Sequence, residues 1–319
     1  MEPVLTDALD IERLAPGRIH RLHVALVESG TGRTIRVPVM VARGREGGKV
    51  LGITAVVHGN ELNGAFCVQD LMRNLKIEEL TGTVVGVPIM NMPGFLTHER
   101  EFRDGKDLNR LFPGREVGPS SDVYAFRFMD RVVRGFDYLI DLHTASFGRV
   151  NSLYIRADME RPETARIARL LRPQIIVHNP RADGTLRAAA EDRGIHAVTV
   201  EVGDPQRLQQ KLVQTTRIAI RDVLEHLNML PTDHERPPHE PVECARSMWL
   251  YTDVGGMLEV LPKVADKVKQ GEVVAKLYNE WGDKLRSYEA PHDGIVIGKS
   301  TNPVGYTGAR ILHLGLFSE

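Results

Sequence analysis

Cysteine is nearly absent from this 319-residue chain: Cys67 and Cys244 are the only two, far apart and without a partner at redox or metal-binding spacing. That scarcity excludes a disulfide scaffold and a thiolate metal cluster, and leaves each a core role or a lone thiol. An excess of one charge is absent too. With 41 Lys and Arg against 42 Asp and Glu, a formal net charge of -1 gives no general electrostatic reason to bind nucleic acid or an anionic membrane. A small molecule is the expected partner. No apolar run approaches the roughly 18 residues of a membrane span, and the start, MEPVLTDALDIERLAPG, lacks the basic-then-apolar order of a signal peptide. A soluble, cytoplasmic protein is expected. Apolar residues are plentiful at 42%, enough for one large domain, or for one large domain and a smaller one.

Residues 21 to 42 alternate apolar and polar around Ser29-Gly30-Thr31-Gly32, a β-hairpin pattern expected to flank the main sheet. Short apolar runs follow at 50–57, 82–89 and 136–142, with helical periodicity at 64–75 and 120–134 between them. Further strands are expected at 174–177 and 197–200, and a helix at 205–228. Strands alternating with helices predict an α/β fold with a mixed, largely parallel central sheet and helices on both faces. Prolines and charges replace periodicity at 230–242, as in a linker. The α/β unit, with its N-terminal β-hairpin region, is therefore placed at 1–235 and a small all-β barrel or sandwich at 243–319. That β unit resembles biotinyl and lipoyl carrier domains in the rhythm of VKQGEVVAKL and APHDGIVIG. A carrier displays a modified lysine at a hairpin tip, and nothing between Leu277 and Tyr288 has that setting. Lys284 is an unconvincing candidate, so a cap or an assembly element is the expected role.

Three apolar runs end in potential ligands or acids: AVVHGNE carries His58 and Glu61, YLIDLH carries His143, and AVTVE carries Glu201. In open α/β sheets, ligands bind outside the carboxyl ends of the strands, so these residues can converge on one point. His58 and Glu61, three apart across a Gly59-Asn60 turn, can share an ion, with His143 as third ligand. Two imidazoles and a carboxylate with an open fourth position make the ligand pattern of hydrolytic zinc. Glu201 then suits a general base that passes a proton to a departing amine. Each residue alone also fits a structural, hydrogen-bonded role. In the loop 101–114, Arg103 or Arg110 could stabilise an oxyanion, and a guanidinium with the Asn109 amide could hold a carboxylate, although solvated loop charges look the same. Asp141, two residues before His143 and on the same strand face, is a candidate partner for that histidine. Thr144 and Ser146 could orient His143 or satisfy loop backbone. His98, His178, His196, His292 and His313 are assigned no metal role.

HGNE, DLNRLFPG, DLHTAS and TVEVGD, in this order, resemble the succinylglutamate desuccinylase and aspartoacylase family, a deacylase branch of the zinc carboxypeptidase-like clan. The resemblance spans roughly 45–225. It implies one zinc ion on His58, Glu61 and His143, Glu201 as base and proton shuttle, and Arg103 as the arginine that polarises the scissile carbonyl. It further implies Asn109 and Arg110 on the substrate α-carboxylate, Arg187 on a second carboxylate, and Tyr306 reaching in from the β unit. The activity implied is hydrolysis of an N-acyl amino acid or related small N-acyl amine, acetyl or succinyl in type. A homo-oligomer is left open. A zinc carboxypeptidase acting on peptides would use the same constellation, and a binding or carrier module beside an inactive catalytic half is the alternative of another class.

Overall fold

The computed structural model describes residues 3–180, 184–232 and 239–317. Ten strands form the central sheet, in the spatial order β1 (Val4–Thr6), β2 (Arg18–Glu28), β3 (Thr34–Arg43), β5 (Thr81–Val87), β4 (Glu46–Ala55), β6 (Tyr138–His143), β10 (His196–Val202), β8 (Leu153–Ala157), β9 (Ile175–His178) and β11 (Val242–Cys244). Most neighbours are parallel; β2 with β3, β3 with β5 and β10 with β8 are antiparallel. The central strands read as unbroken apolar runs because helices cover both faces. On one face α1 (Asn63–Asn74), α4 (Pro162–Leu170) and α6 (Gln210–His226) share a core with Leu51, Ile53, Ile140 and Val200. On the other, α3 (Ser120–Arg131) and α5 (Leu186–Glu191) pack over Val85, Leu139 and Ala197. The short α2 (Met92–Thr97) follows β5. In α1 the buried residues Ala65, Val68, Leu71 and Met72 recur at helical spacing, so one stripe faces the sheet.

The expected hairpin is β2 and β3, and it flanks the central strands at one side of the sheet, where β3 pairs directly with β5. The linker read at 230–242 lies partly outside the described residues, and β11 at its end belongs to the main sheet, pairing parallel with β9.

After β11 the chain forms two stacked antiparallel sheets. One holds β12 (Arg246–Tyr251), β19 (Arg310–Leu316), β17 (Gly294–Ser300) and β14 (Lys267–Val268); the other holds β16 (Lys284–Glu289), β15 (Val273–Tyr278), β13 (Gly256–Val260) and β18 (Val304–Gly305). Val274, Leu277, Val296, Ile311 and Leu314 belong to one core shared by the two sheets. The tip between β15 and β16 carries the exposed Trp281. A short strand from the α/β unit, β7 (Arg149–Asn151), pairs with β17, so the β unit is joined to the wall of the main sheet by backbone hydrogen bonds. No helix among the described residues is long and apolar enough to cross a membrane.

Candidate active site

The parallel neighbours β4, β6 and β10 end side by side. Their register sets Ala55 opposite Leu142, and His143 opposite Glu201, so residues leaving these strands meet at one edge. β4 stops at Ala55, earlier than the apolar run suggests, because Val56 takes a left-handed backbone, φ 59°, that turns the chain out of the sheet. Glu61 N then donates to His58 O at 3.2 Å, which closes the turn. Gly59 is required there for close approach rather than for a special dihedral: a Cβ would lie 2.0 Å from the Gly94 carbonyl carbon. Gly64 lets α1 approach the sheet, since its Cβ would lie 2.7 Å from that of Leu142.

The ligand atoms of His58, Glu61 and His143 lie within 4.8 Å of one another, all three buried. Glu61 Oε1 is 2.9 Å from His58 Nδ1, and Oε2 is 3.1 Å from His143 Nδ1. The outer nitrogens are held by carboxylates: His58 Nε2 by Asp107 Oδ1 at 3.0 Å, and His143 Nε2 by Asp141 Oδ2 at 2.8 Å. Thr54 Oγ1 donates to Asp141 Oδ1 at 2.7 Å. Both imidazoles are thus oriented with Nδ1 toward the shared point, in the way metal-binding histidines are held by an outer carboxylate. His58 Nδ1 is buried and has no hydrogen-bonding partner despite its nearness to Glu61, because the angle is wrong for a hydrogen bond. An unpartnered imidazole lone pair beside a carboxylate and a second Nδ1 fits a tetrahedral cation with one position left over.

The charges are interlocked. Burial opposes ionisation of Glu61, but the charge of His58, with the hydrogen bond and charge of His143, holds it well below the ordinary carboxylate range. Asp107 is held down in the same way, against burial, by His58 and Arg100. Burial disfavours the imidazolium of His143, yet Asp141 and Glu61 raise its pKa well above the usual value.

Arg100 is the guanidinium at this centre. Its Nη1 lies 2.8 Å from both Glu61 Oε1 and Ser146 Oγ, and its Nη2 lies 2.9 Å from Asp107 Oδ2. Arg103, expected from the sequence, is exposed and does not line the cavity. Phe102 is buried against Tyr124, and Gly105 N donates to Phe102 O at 2.8 Å, so Arg103 sits on the outer tip of a tight turn. Tyr306 also stays outside. Its side chain is 79% exposed, and its carbonyl is tied to Thr252 Oγ1 in the turn before β19.

The remaining expected residues line one cavity of about 690 Å³. Glu201 is buried, with Oε1 2.9 Å from Arg156 and Oε2 accepting from Asn151 at 3.2 Å. Asn109 Oδ1 accepts from Leu186 N at 2.8 Å, which spends its carbonyl on α5 and leaves its amide group for other use. Arg110 is more exposed, at the rim, with Nη1 on Asn109 O. Arg187 is buried in the wall, paired with Glu191 at 3.0 Å and Asn179 at 2.8 Å. Thr144 Oγ1 satisfies backbone, whereas its N–H donates to Glu61 Oε2. Residues that carried no sequence signal complete the wall: Arg149 and Arg156 from β7 and β8, and Trp249, Arg310 and His313 from the β unit. Asp107 stood in plain view within DLNR, and its i+2 cap on Asn109 N, 2.9 Å, is a local pattern that could have singled it out.

Residues 47–227 match the family model of the succinylglutamate desuccinylase/aspartoacylase catalytic domain. The N-alpha-acetyl-L-2,4-diaminobutyric acid deacetylase of Halomonas elongata is 26% identical over 298 residues, covering 88% of this chain and 85% of that protein. Among solved structures, a succinylglutamate desuccinylase/aspartoacylase from Rhodobacter sphaeroides superposes with a TM-score of 0.84 at 22% identity, over 98% of this chain and 100% of the other. The product-bound ectoine utilization protein EutE (DoeB) of Ruegeria pomeroyi gives a TM-score of 0.83 at 20% identity, over 93% and 95%. At those identities the two structures speak to the fold alone.

Proposed function

The chain belongs to the succinylglutamate desuccinylase/aspartoacylase family, and from that premise we propose a zinc-dependent deacylase that hydrolyses the amide bond of an N-acyl amino acid or related small N-acyl amine. The observation that carries it is the buried cluster of His58, Glu61 and His143, with an unpartnered His58 Nδ1 and with Glu201 on the strand beside His143. A zinc ion held by those three side chains would supply Lewis acidity, polarising an amide carbonyl and acidifying a water molecule.

Asp107 and Asp141 keep the two imidazoles in the tautomer that leaves Nδ1 free. Glu201, steadied by Arg156 and Asn151, takes the proton of the attacking water as the carbon–oxygen bond forms. It returns that proton to the amide nitrogen as the carbon–nitrogen bond breaks, so the products are a carboxylate and an amine. Arg100, in the place assigned from the sequence to Arg103, faces the negative charge that gathers on the carbonyl oxygen. The Asn109 amide and Arg110 hold the substrate α-carboxylate, and Arg187 serves the wall behind it, its own charge already matched by Glu191. The β unit lines part of the cavity through Trp249, Arg310 and His313.

The test is amine release from N-acetyl, N-formyl and N-succinyl amino acids by zinc-loaded protein beside its Glu201→Gln variant. Loss of a general base costs about 10²- to 10⁴-fold in turnover, with zinc retained. Equal turnover by the variant removes Glu201 from the reaction, and silence of the zinc-loaded protein across the panel removes the small-amide substrate.

A further inference from the structure

Residues 144–151, which join β6 to β8, touch the site along their length. Thr144 N donates to Glu61 Oε2 at 3.2 Å, Ser146 Oγ accepts from Arg100 Nη1 at 2.8 Å, and Asn151 Nδ2 donates to Glu201 Oε2 at 3.2 Å. Yet the last part of this stretch, β7, is not in the central sheet. Among the described residues its one strand partner is β17 of the β unit, with Asn151 opposite Gly298 and Arg149 opposite Ser300. Further bonds to the β unit fasten both ends: Thr301 N donates to Gly148 O at 2.8 Å, and Ser152 donates to Ile297 O from N at 2.9 Å and from Oγ at 3.0 Å.

The support is firm because β17 belongs to two cores. Strand alternation sends Ile295 and Ile297 into an apolar cluster with Tyr154, Val177 and Cys244 of the main sheet, while Val296 enters the core of the β unit with Ile311 and Leu314. All three side chains are buried, so β17 cannot shift without opening one core or the other.

Gly298 makes the contact with Asn151 possible. Its φ lies outside the left-handed region, so the backbone there would accept any residue. The space would not. A Cβ would lie 2.2 Å from Asn151 Oδ1 and 2.9 Å from the Val150 carbonyl oxygen. Glycine inside a strand marks such close approaches, and here the missing side chain is the room in which the Asn151 amide is seated. Glu201 needs that amide. Arg156 holds its Oε1 at 2.9 Å, and one anchor leaves a carboxylate free to turn. A second anchor on the other oxygen fixes its plane, and with it the direction from which a proton can be taken.

The geometry points to Asn151 and Gly298 as positioning residues, through which the β unit sets the orientation of the general base from outside the catalytic sheet. This deepens the deacylase reading on which it rests, and gives the β unit a part in the chemical step besides lining the cavity.

In the full-length, zinc-loaded protein, Gly298→Ala should turn the Asn151 side chain off Glu201. The expected loss in kcat is about 10- to 100-fold, the range for a misplaced catalytic group, with KM and zinc affinity unchanged. Asn151→Ala should do the same. Asn151→Asp, equal in size but without the N–H donor, should lose as much, whereas a packing role alone would let it pass. Because Asn151→Ala removes the atom that the new methyl strikes, adding Gly298→Ala to it should cost nothing more. The control is Gly305→Ala in the same unit, where a Cβ would meet that of Leu258 at an ordinary 3.5 Å, and it should leave kcat unchanged. An additive loss in the double variant, wild-type kcat in Asn151→Asp, or a loss in Gly305→Ala equal to that in Gly298→Ala overturns the proposal. Circular dichroism shows whether each variant is folded, and the Asn151 variants, at a half-buried position, carry the test if Gly298→Ala is not.

A readout independent of turnover is the side-chain amide signal of Asn151 in heteronuclear NMR spectra, assigned by its absence in Asn151→Ala. It should move in Glu201→Gln and in Gly298→Ala and stay in place in Gly305→Ala. A signal indifferent to Gly298→Ala overturns the inference. If the amide responds as stated while the zinc-loaded wild type hydrolyses no N-acyl amino acid, the deacylase reading falls and the hold of the β unit on Glu201 stands.

Discussion

Removing the carboxylate behind His143 should weaken zinc in two graded steps. Asp141 is 1% exposed, accepts from His143 Nε2 at 2.8 Å, and is fixed on its other oxygen by Thr54 at 2.7 Å. Its charge raises the basicity of the imidazole, and its geometry keeps the proton on Nε2 and the lone pair on Nδ1. In Asp141→Asn the amide can rotate so that its oxygen still accepts from His143 and its nitrogen donates to the Thr54 hydroxyl. Orientation survives and charge is lost. In Asp141→Ala both are lost, and the ring is free to turn. Outer carboxylates of metal-bound histidines are worth about 10- to 100-fold in affinity, so about tenfold is expected for Asn and about a hundredfold for Ala, or roughly 1.4 and 2.7 kcal/mol. Full burial keeps solvent from screening the effect. The assay is competition for zinc against a chromophoric chelator at neutral pH, with circular dichroism to show that each variant is folded. Unchanged affinity in both variants would refute His143 Nδ1 as a ligand. Equal loss in both would mean that charge alone, not orientation, carries the effect.

Arg100→Met should lower kcat by about 10²- to 10³-fold, the usual worth of one oxyanion contact, while Arg103→Ala, on its exposed turn, should leave the kinetics unchanged; the reverse pattern would restore Arg103 to the site. Gly59→Ala should destabilise the fold by about 1 to 3 kcal/mol, because its Cβ would lie 2.0 Å from the Gly94 backbone, and a wild-type urea midpoint would show that α2 gives way freely. His313 concerns acid stability. Burial first, then Arg156, Arg310 and Arg149, lower its pKa from 6.5 to about 3. Below pH 6.5 the unfolded chain takes up a proton that the folded chain refuses until about pH 3, so stability is lost as pH falls through that window. His313→Gln should flatten this part of the curve in urea titrations, and an unchanged slope would mean that His313 is not buried in its neutral form.

Local pattern in the sequence determined the α/β alternation, the sheet edge at which polar residues gather, and the candidates His58, Glu61, His143 and Glu201. Strand period and strand ends are properties of a few adjacent residues, so an apolar run that stops at a histidine is visible without knowing its neighbours. The same period of two places Asp141 behind His143. Tertiary structure decided what depends on residues distant in the chain. Buried Phe102 puts Arg103 on a turn tip and leaves Arg100 to face Glu61, a choice made by packing against Tyr124. The left-handed Val56 ends β4 early, although its side chain continues the apolar run. The hold of Asp107 on His58 joins residues 49 positions apart, across α1, β5 and α2, and that contact is what directs Nδ1 inward. Arg149, Trp249, Arg310 and His313 share a wall only because β7 pairs with β17 and the β unit closes over the sheet edge. Register between strands some 150 residues apart has no local signature, since the backbone hydrogen bonds that set it are the same for every residue type.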